Sequence, residues 1–312
     1  MLAWQKQDGK ESGMRAFGWV MAGLGLGLVT SGGSWAAGSA GTLAQALDHW
    51  TGMTSTVRLE GGQATIGLPA TSPVSEVLAA AHPGQHGDEA GWALSDARVP
   101  APARLRDGSM LAITQQTGEA WLGARSATLS AEDAGLALTD PRGRTLRVAH
   151  AHVHALSQGQ DVTVTAVLDG ISGTVGGIPL LPNAARLDGA TTPAGAAALS
   201  ALMAGRGGPV TVPITLHDAV LEMGPSEIAA HGAVTLHGDN DRDGTLVVTA
   251  THFDALMQSL PQTGPAVKAL PVLLVLRQFA QKDASGRLRW TVTFQGSHVL
   301  VDGVDLAALS RL

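Results

Sequence analysis

The chain of 312 residues contains no cysteine and no tyrosine, and only 4 % of its residues are aromatic. The absence of cysteine excludes disulfide bonds, thiolate zinc sites, iron–sulfur clusters and cysteine nucleophiles. Charged residues make up 15 % of the chain and apolar residues 45 %, which predicts a folded core of Val, Leu, Ile and Ala. The net charge is −6 and no basic run occurs, so the sequence predicts no nucleic-acid partner.

Motifs for catalysis and for cofactor binding are also absent. The chain has no phosphate-binding loop, no Gly-x-Ser-x-Gly elbow and no His-Glu-x-x-His pair. The glycines Gly23, Gly25 and Gly27 lie inside an apolar segment and do not form a dinucleotide-binding loop. The paired carboxylates Glu132 and Asp133 are expected in a polar, solvated turn. We therefore predict no catalytic residue, no cofactor and a non-enzymatic protein.

The N-terminal region has the features of a secretory signal. Residues 16–29 form an apolar run that follows Arg15, and small residues occupy the −3 and −1 positions of a cleavage site between Ala36 and Ala37. The run is shorter than the roughly 20 residues of a transmembrane helix. The pattern predicts a signal peptide over residues 1–36.

An uncleaved signal anchor is the alternative, and residues 16–29 would then contact the membrane. Met14 is an alternative start to Met1, because residues 1–13 add nothing that a signal requires. Either form predicts a location in the periplasm or on the periplasmic face of the inner membrane.

The first segments of the mature chain are interpreted from the spacing of their apolar residues. Helical spacing predicts a short helix over 43–50. Apolar and polar residues alternate with a period of two over 56–68, which predicts a hairpin that turns at the glycine pair 61–62. We predict a second short helix over 75–81, capped by its serine and ended near a proline, and a polar loop over 82–90.

The middle of the chain predicts many short antiparallel strands, because Pro, Gly and Asp punctuate it about every ten residues. The predicted strands are 92–99, 109–114, 120–129, 135–139, 145–156 and 161–168. A small helix over 192–204 follows, with Thr192 as its N-cap and Pro193 in its first turn.

The C-terminal third predicts hairpins and a pair of helices. The predicted strands are 210–223, 227–236, 245–251, 288–294 and 299–304, and the predicted helices are 253–260 and 266–281. The fold class is therefore mainly β: an extended, antiparallel twisted sheet of short strands with a C-terminal helical pair packed on it. We expect an N-terminal β-rich half over 37–209 and a C-terminal half over 210–312, joined as one continuous sheet.

The C-terminal third resembles the bacterial family called domain of unknown function 2125. The segments that carry the resemblance are Gly232-Ala-Val-Thr-Leu, the polar turn at 239–244, Thr245-Leu-Val-Val-Thr-Ala, Phe253-Asp-Ala-Leu-Met and Gly296-Ser-His-Val-Leu. The resemblance implies a β-rich fold and an envelope location, and it supplies no catalytic residues. The C-terminal third is also distantly similar to the repeats of AsmA-type envelope proteins, which are linked to lipid transport.

Three histidines form the sharpest chemical pattern. His150, His152 and His154 alternate along a predicted strand and so share one face, with neighbours roughly 6.6 Å apart. Two adjacent imidazoles can bind one zinc ion, whereas all three cannot. A third ligand would have to come from elsewhere, with His217, His231, His237 or His252 available. Leu146, Val148 and Leu156 share the histidine face, which predicts a partly buried stripe rather than a metal site.

The segment that begins at Asp239 matches the first half of a calcium-binding loop. Asp239, Asp241 and Asp243 have the correct spacing, but Ala250 stands where such loops need a bidentate glutamate. Asp and Asn are also common at the tips of hairpins. The segment is therefore predicted to be a hairpin turn.

These observations favour a non-enzymatic envelope protein with a structural or lipid-associated role. The expected partner is a lipid or another envelope protein. Two alternatives remain open at this point. One is a metal-dependent envelope hydrolase that uses His150, His152 and His154, and the other is a module that docks another protein by pairing sheet edges.

Overall fold

The computed structural model describes residues 39–51, 54–68, 75–100, 103–104, 108–175, 178–179, 182–203, 211–237, 241–259 and 270–306. The predicted signal over 1–36 lies outside these residues. The helices are α1 (Ala40–Thr51), α2 (Pro193–Met203), α3 (Phe253–Ser259) and α4 (Leu270–Phe279). No helix in the described ranges is long and apolar enough to cross a membrane.

The strands account for most of the described chain. They are β1 (Thr56–Glu60), β2 (Gln63–Gly67), β3 (Glu76–His86), β4 (Glu89–Arg98), β5 (Ala103–Arg104), β6 (Met110–Ala112), β7 (Gln115–Gly123), β8 (Ser126–Thr139), β9 (Thr145–Gln158), β10 (Asp161–Asp169), β11 (Ser172–Val175), β12 (Ile178–Pro179), β13 (Ala184–Thr191), β14 (Thr211–Met223), β15 (Ser226–His237), β16 (Asp241–Thr251), β17 (Gln281–Lys282), β18 (Leu288–Gly296), β19 (His298–Val301) and β20 (Val304–Asp305).

The strands form one large, open antiparallel sheet, which confirms the predicted fold class. Its main order is β1–β2–β3–β4–β7–β8–β9–β10–β13–β14–β15–β16–β18–β19–β20. The short strands β5, β6, β11, β12 and β17 pair at the margins of this order. The pairing of β13 with β14 carries the sheet without a break from the first half of the chain into the second.

One face of the sheet is covered by helices, and it can be followed along a single row of paired residues. The row runs through Ala131, Val153, Ala166, Leu187, Ala219, Ala230, Val248 and Trp290. Residues that pair directly across antiparallel strands point to the same face. We call this the helix-covered face and the opposite side the open face. The two faces separate the apolar packing of the protein from most of its charged side chains.

Helix α1 forms the centre of the largest buried cluster. Leu43, Leu47 and Trp50 are buried against apolar side chains from β2, β3, β4, β7, β8, β9 and β10. The Trp50 indole N–H donates a hydrogen bond to the carbonyl oxygen of Gly123 at 2.7 Å. The sheet therefore packs around α1, which confirms the helix predicted over 43–50.

Helices α3 and α4 cover the other end of the same face. Phe253, Leu256 and Trp290 are buried there, and the rings of Phe253 and Trp290 lie 5.4 Å apart. The Trp290 indole N–H donates to the carbonyl oxygen of Leu276 at 2.8 Å, which ties α4 to β18. This arrangement confirms the predicted C-terminal helical pair.

Several local predictions are confirmed by their capping and turn geometry. Gly61 and Gly62 have φ values of +58° and +82°, as the predicted two-residue hairpin between β1 and β2 requires. The hydroxyl of Thr192 accepts a hydrogen bond from the backbone N–H of Gly195 at 3.1 Å, which is the geometry of the predicted N-cap of α2.

The helix predicted over 75–81 is wrong, and so is the polar loop over 82–90. Both segments belong to a hairpin in which β3 pairs with β2 on one side and β4 on the other. Ala79 and Ala81 are buried at a period of two, because each points to the helix-covered face. A run of Val, Leu and Ala fits either structure locally, and pairing with two neighbouring strands decides for the strand.

The strand predicted over 120–129 is in fact the end of β7, a turn at 124–125 and the start of β8. Strand β8 then continues through residues 130–134, where the sequence predicted a break, and through Gly135, which has a φ of +63°. Gly170, at the end of β10, has a φ of +65°. The buried side chains change parity at these glycines, from Asp133 to Leu136 in β8, so the sheet presents a second buried cluster beyond them.

Candidate functional site

A half-buried apolar area lies on the helix-covered face of β14, β15, β16 and β18. Ile214 pairs with Val234 and Gly244 pairs with Phe294 in one row, while Leu216, Gly232 and Leu246 form the next row. We call the five side chains Ile214, Leu216, Val234, Leu246 and Phe294 the apolar strip. All five are half-buried, and none belongs to a buried cluster.

Two glycines lie within the apolar strip where an alternating strand would otherwise place side chains. Gly232 and Gly244 have φ values of +142° and +143°, a backbone conformation that favours glycine. A Cβ at Gly232 would lie 2.2 Å from the Thr245 carbonyl oxygen, and a Cβ at Gly244 would lie 2.3 Å from the Ala233 carbonyl oxygen. The strip is therefore apolar at its sides and bare of side chains at two central positions.

Arg242 lies at one end of the apolar strip. Arg242 lies two residues before Gly244 and four before Leu246, so its side chain points to the same face. Its guanidinium carbon lies 5.6 Å from the centre of the Phe294 ring. Its neighbours Asp241 and Asp243 point to the open face. Among the described residues no carboxylate lies within ion-pair distance of Arg242.

The structure places His150, His152 and His154 on β9, with the first two exposed on the open face. His152 Nδ1 lies 3.4 Å from Glu132 Oε1 on β8, and His150 pairs with Asp169 on β10. The predicted stripe is wrong in part. Because the buried parity changes near Gly135, Val148 is buried in the second cluster and does not share the exposed histidine face.

A groove of about 360 Å³ lies over this part of the open face. Its lining includes Gln115, Thr117, Glu132, His150, His152 and Asp169. In the described part of the chain, however, no three His, Asp or Glu side chains come together to hold a metal ion. The exposed histidines instead form a polar surface with neighbouring carboxylates.

The other histidines named as third ligands lie away from this groove. His217 on β14 contacts Asp188 at 3.1 Å, and His237 on β15 contacts Asp243 at 3.3 Å. Strands β10 and β13 separate β9 from β14, and β15 lies one strand further. His231 is likewise on β15, and His252 precedes α3. The structure does not bring any of these four to His150 or His152.

Asp241 and Asp243 do not form a calcium-binding loop. Both belong to β16, where they pair with His237 and Thr235 of β15. Asp243 accepts a hydrogen bond from the backbone N–H of Gly296 at 3.2 Å. Asp239 lies outside the described residues. The turn predicted over 239–244 is wrong for residues 241–244, because β16 already begins at Asp241.

Asp133 is a titratable residue whose environment the sequence analysis predicted wrongly. It is 2 % exposed, it faces the interior from β8, and neither carboxylate oxygen has a hydrogen-bond partner of good geometry. Burial raises the pKa of Asp133 to about 6, and the amide of Gln116, paired with it on β7, offsets only part of that effect. The prediction of a solvated turn is wrong for Asp133. Its neighbour Glu132 is exposed, as predicted, but on a strand.

Alternation provided a signal that could have located Asp133. Ala127, Leu129 and Ala131 are buried at a period of two, and Asp133 is the next position in that series. The apolar strip also follows from alternation in β14 and β16. Whether the apolar faces of these two strands lie on the same side of the sheet depends on the register of the strands. The sequence does not give that register, so the strip had no sequence signature of its own.

Comparisons with known proteins add no relative. A search found no match of this chain to a known protein family, to a curated protein or to a solved structure.

Proposed function

We propose that this chain is a non-enzymatic protein of the bacterial envelope with a lipid-associated role, and that a lipid acyl chain lies on the apolar strip. The observation that carries the proposal is the half-exposed strip itself, which continues the helix-covered face beyond α3 and α4. A half-buried apolar area beside a buried core is a surface on which an apolar ligand gains by leaving water.

The dimensions of the strip suit an acyl chain. From Arg242 to Leu246, where the strip ends, the strand β16 extends over about 13 Å at 3.3 Å per residue. One leaflet of a bilayer has about half of the 30 Å hydrocarbon thickness, or about 15 Å, so the strip can contact most of an acyl chain of that length. Gly232 and Gly244 bring no side chain to the strip, so the surface at its centre is formed by backbone and by the flanking apolar side chains.

Further apolar exposure accompanies the strip in the C-terminal half. Leu221 on β14 is 39 % exposed, and Leu274 and Phe279 on α4 are 50 % and 46 % exposed. These are the large apolar side chains most exposed to solvent in the described structure. Their presence supports contact with lipid, and the predicted export signal supports a location beside a membrane.

Binding of a phospholipid with a fluorescent acyl chain tests the proposal. Leu246→Gln keeps a similar side-chain volume but makes the strip polar, and we expect it to weaken binding about ten-fold or more, as the loss of one buried leucine contact predicts. Thr245→Gln is the matched control, because Thr245 is the adjacent exposed residue on the open face. A wild-type chain that binds no lipid, or two variants that bind equally, would overturn the proposal.

A further inference from the structure

We infer that Arg242 binds the anionic head group of the lipid, so that the ligand class is an anionic lipid with its acyl chain along the apolar strip. This inference rests on the proposed function and names the part of the ligand that the strip alone leaves open. It depends on the position, the stacking and the lack of an acidic partner of one guanidinium group.

The position of Arg242 is fixed by the register of β16. Arg242, Gly244 and Leu246 follow at a period of two and point to the helix-covered face, whereas Asp241 and Asp243 point to the open face. The residues paired with Arg242 are Leu236 and Gly296, which bring no charge to that face. The cation is therefore the terminal group of an otherwise apolar row.

The aromatic ring of Phe294 holds the guanidinium group at the end of the strip. The distance of 5.6 Å from the guanidinium carbon to the ring centre is within the range of a cation–π contact. Stacking leaves the edge of the guanidinium plane, with its N–H donors, free to bind an anion.

The missing counter-ion points to a ligand of negative charge. Among the described residues Arg242 has no carboxylate partner, a property that it shares with Arg147, Arg186 and Arg289. Those three arginines are exposed to solvent, whereas Arg242 is half-buried. A phosphate or carboxylate that reaches this end of the strip would form charge-assisted, bidentate hydrogen bonds with it.

The experiment compares two lysophospholipids with the same acyl chain, the anionic lysophosphatidylglycerol and the zwitterionic lysophosphatidylcholine. The full chain is titrated with each lipid below its micelle concentration, at low and at moderate salt. We expect the wild-type protein to bind the anionic lipid about ten-fold more tightly, and salt to reduce that difference. Arg242→Gln should remove the preference while binding of the zwitterionic lipid stays unchanged.

Two further variants keep the outcome interpretable. Arg242→Lys keeps the charge without the planar donors and should retain part of the preference. Arg186→Gln removes an exposed arginine from β13 and should leave the preference intact. Equal binding of both lipids by the wild-type chain, or a preference that survives Arg242→Gln, would overturn the inference and leave the proposed function standing. Binding of neither lipid would overturn both.

Discussion

Trp50 donates its indole N–H to the carbonyl oxygen of Gly123, and this hydrogen bond joins α1 to the end of β7 across 73 residues of sequence. Trp50 is fully buried, with an exposed fraction of 0 %. The bond therefore lies in the interior of the largest cluster, where a carbonyl oxygen that loses its donor cannot turn to water.

Trp50→Phe is expected to lower the free energy of unfolding by about 2–4 kcal/mol, from the lost packing volume and the unsatisfied carbonyl oxygen. Urea denaturation followed by circular dichroism measures it. Trp92→Phe is the matched control, because Trp92 is 2 % exposed and its indole nitrogen has no partner. The control should cost less, and equal losses from the two variants would contradict the importance of the Trp50 hydrogen bond.

Asp133 makes stability depend on pH. Its pKa is raised from 3.8 to about 6 in the folded protein by burial. Between these two values the folded state binds more protons than the unfolded state, so stability falls as the pH rises from about 4 to 6 and remains lower above that window. Ionisation of this carboxyl therefore destabilises the fold at neutral pH.

Asp133→Asn should remove this pH dependence and raise the free energy of unfolding at pH 7 by on the order of 2 kcal/mol. Urea denaturation at several pH values from 4 to 8 checks it. Glu132→Gln, the adjacent exposed position on the open face, should leave the wild-type pH profile unchanged. If the Asp133→Asn profile also falls between pH 4 and 6, the buried carboxyl is not its cause.

Gly135 is required in the middle of β8 for two separate reasons. Its φ is +63°, and a Cβ there would lie 2.5 Å from the Thr114 hydroxyl oxygen. Gly135→Ala is expected to lower the free energy of unfolding by about 2–3 kcal/mol.

Gly159→Ala separates the two causes. Gly159 has a φ of +65°, but no atom lies within 4 Å of the position that an alanine Cβ would occupy. This variant therefore measures the backbone strain alone, about 1–2 kcal/mol. The same denaturation experiment compares the two. A Gly135→Ala variant as stable as Gly159→Ala would mean that the contact with Thr114 relaxes freely.

The predicted signal has a direct test of its own. When the chain is expressed with its full N-terminus, N-terminal sequencing of the exported protein should begin at Ala37. Ala36→Arg should block cleavage, since signal peptidase sites need a small residue at the −1 position. A chain that retains residues 16–29 in the membrane fraction would favour the uncleaved anchor.

Much of the fold could be predicted because local patterns and tertiary packing agree. The glycine pair 61–62, the Thr192 cap and the spacing of Leu43, Leu47 and Trp50 each specify one structure. At 75–81 the same small apolar residues suit a helix or a strand, and the outcome depends on pairing with β2 and β4, which single-sequence patterns do not contain.

The candidate site was less predictable, because its residues come from different strands and meet only in the observed register of strand pairing. Alternation correctly placed His150 and His152 on one face, but it also predicted Val148 on that face. Val148 is buried instead, because the side of the strand that faces the interior changes near Gly135. Arg242 and Phe294 are 52 positions apart in sequence and meet only because β16 pairs with β18. The resemblance to the domain-of-unknown-function family and the envelope location stay predictions.

Native mass spectrometry of the protein purified from the envelope of its own cells tests the lipid-associated role most directly. We expect a mass increment of one lipid, which Leu246→Gln removes and Thr245→Gln retains. A bare protein mass under conditions that preserve a known lipid complex would contradict it.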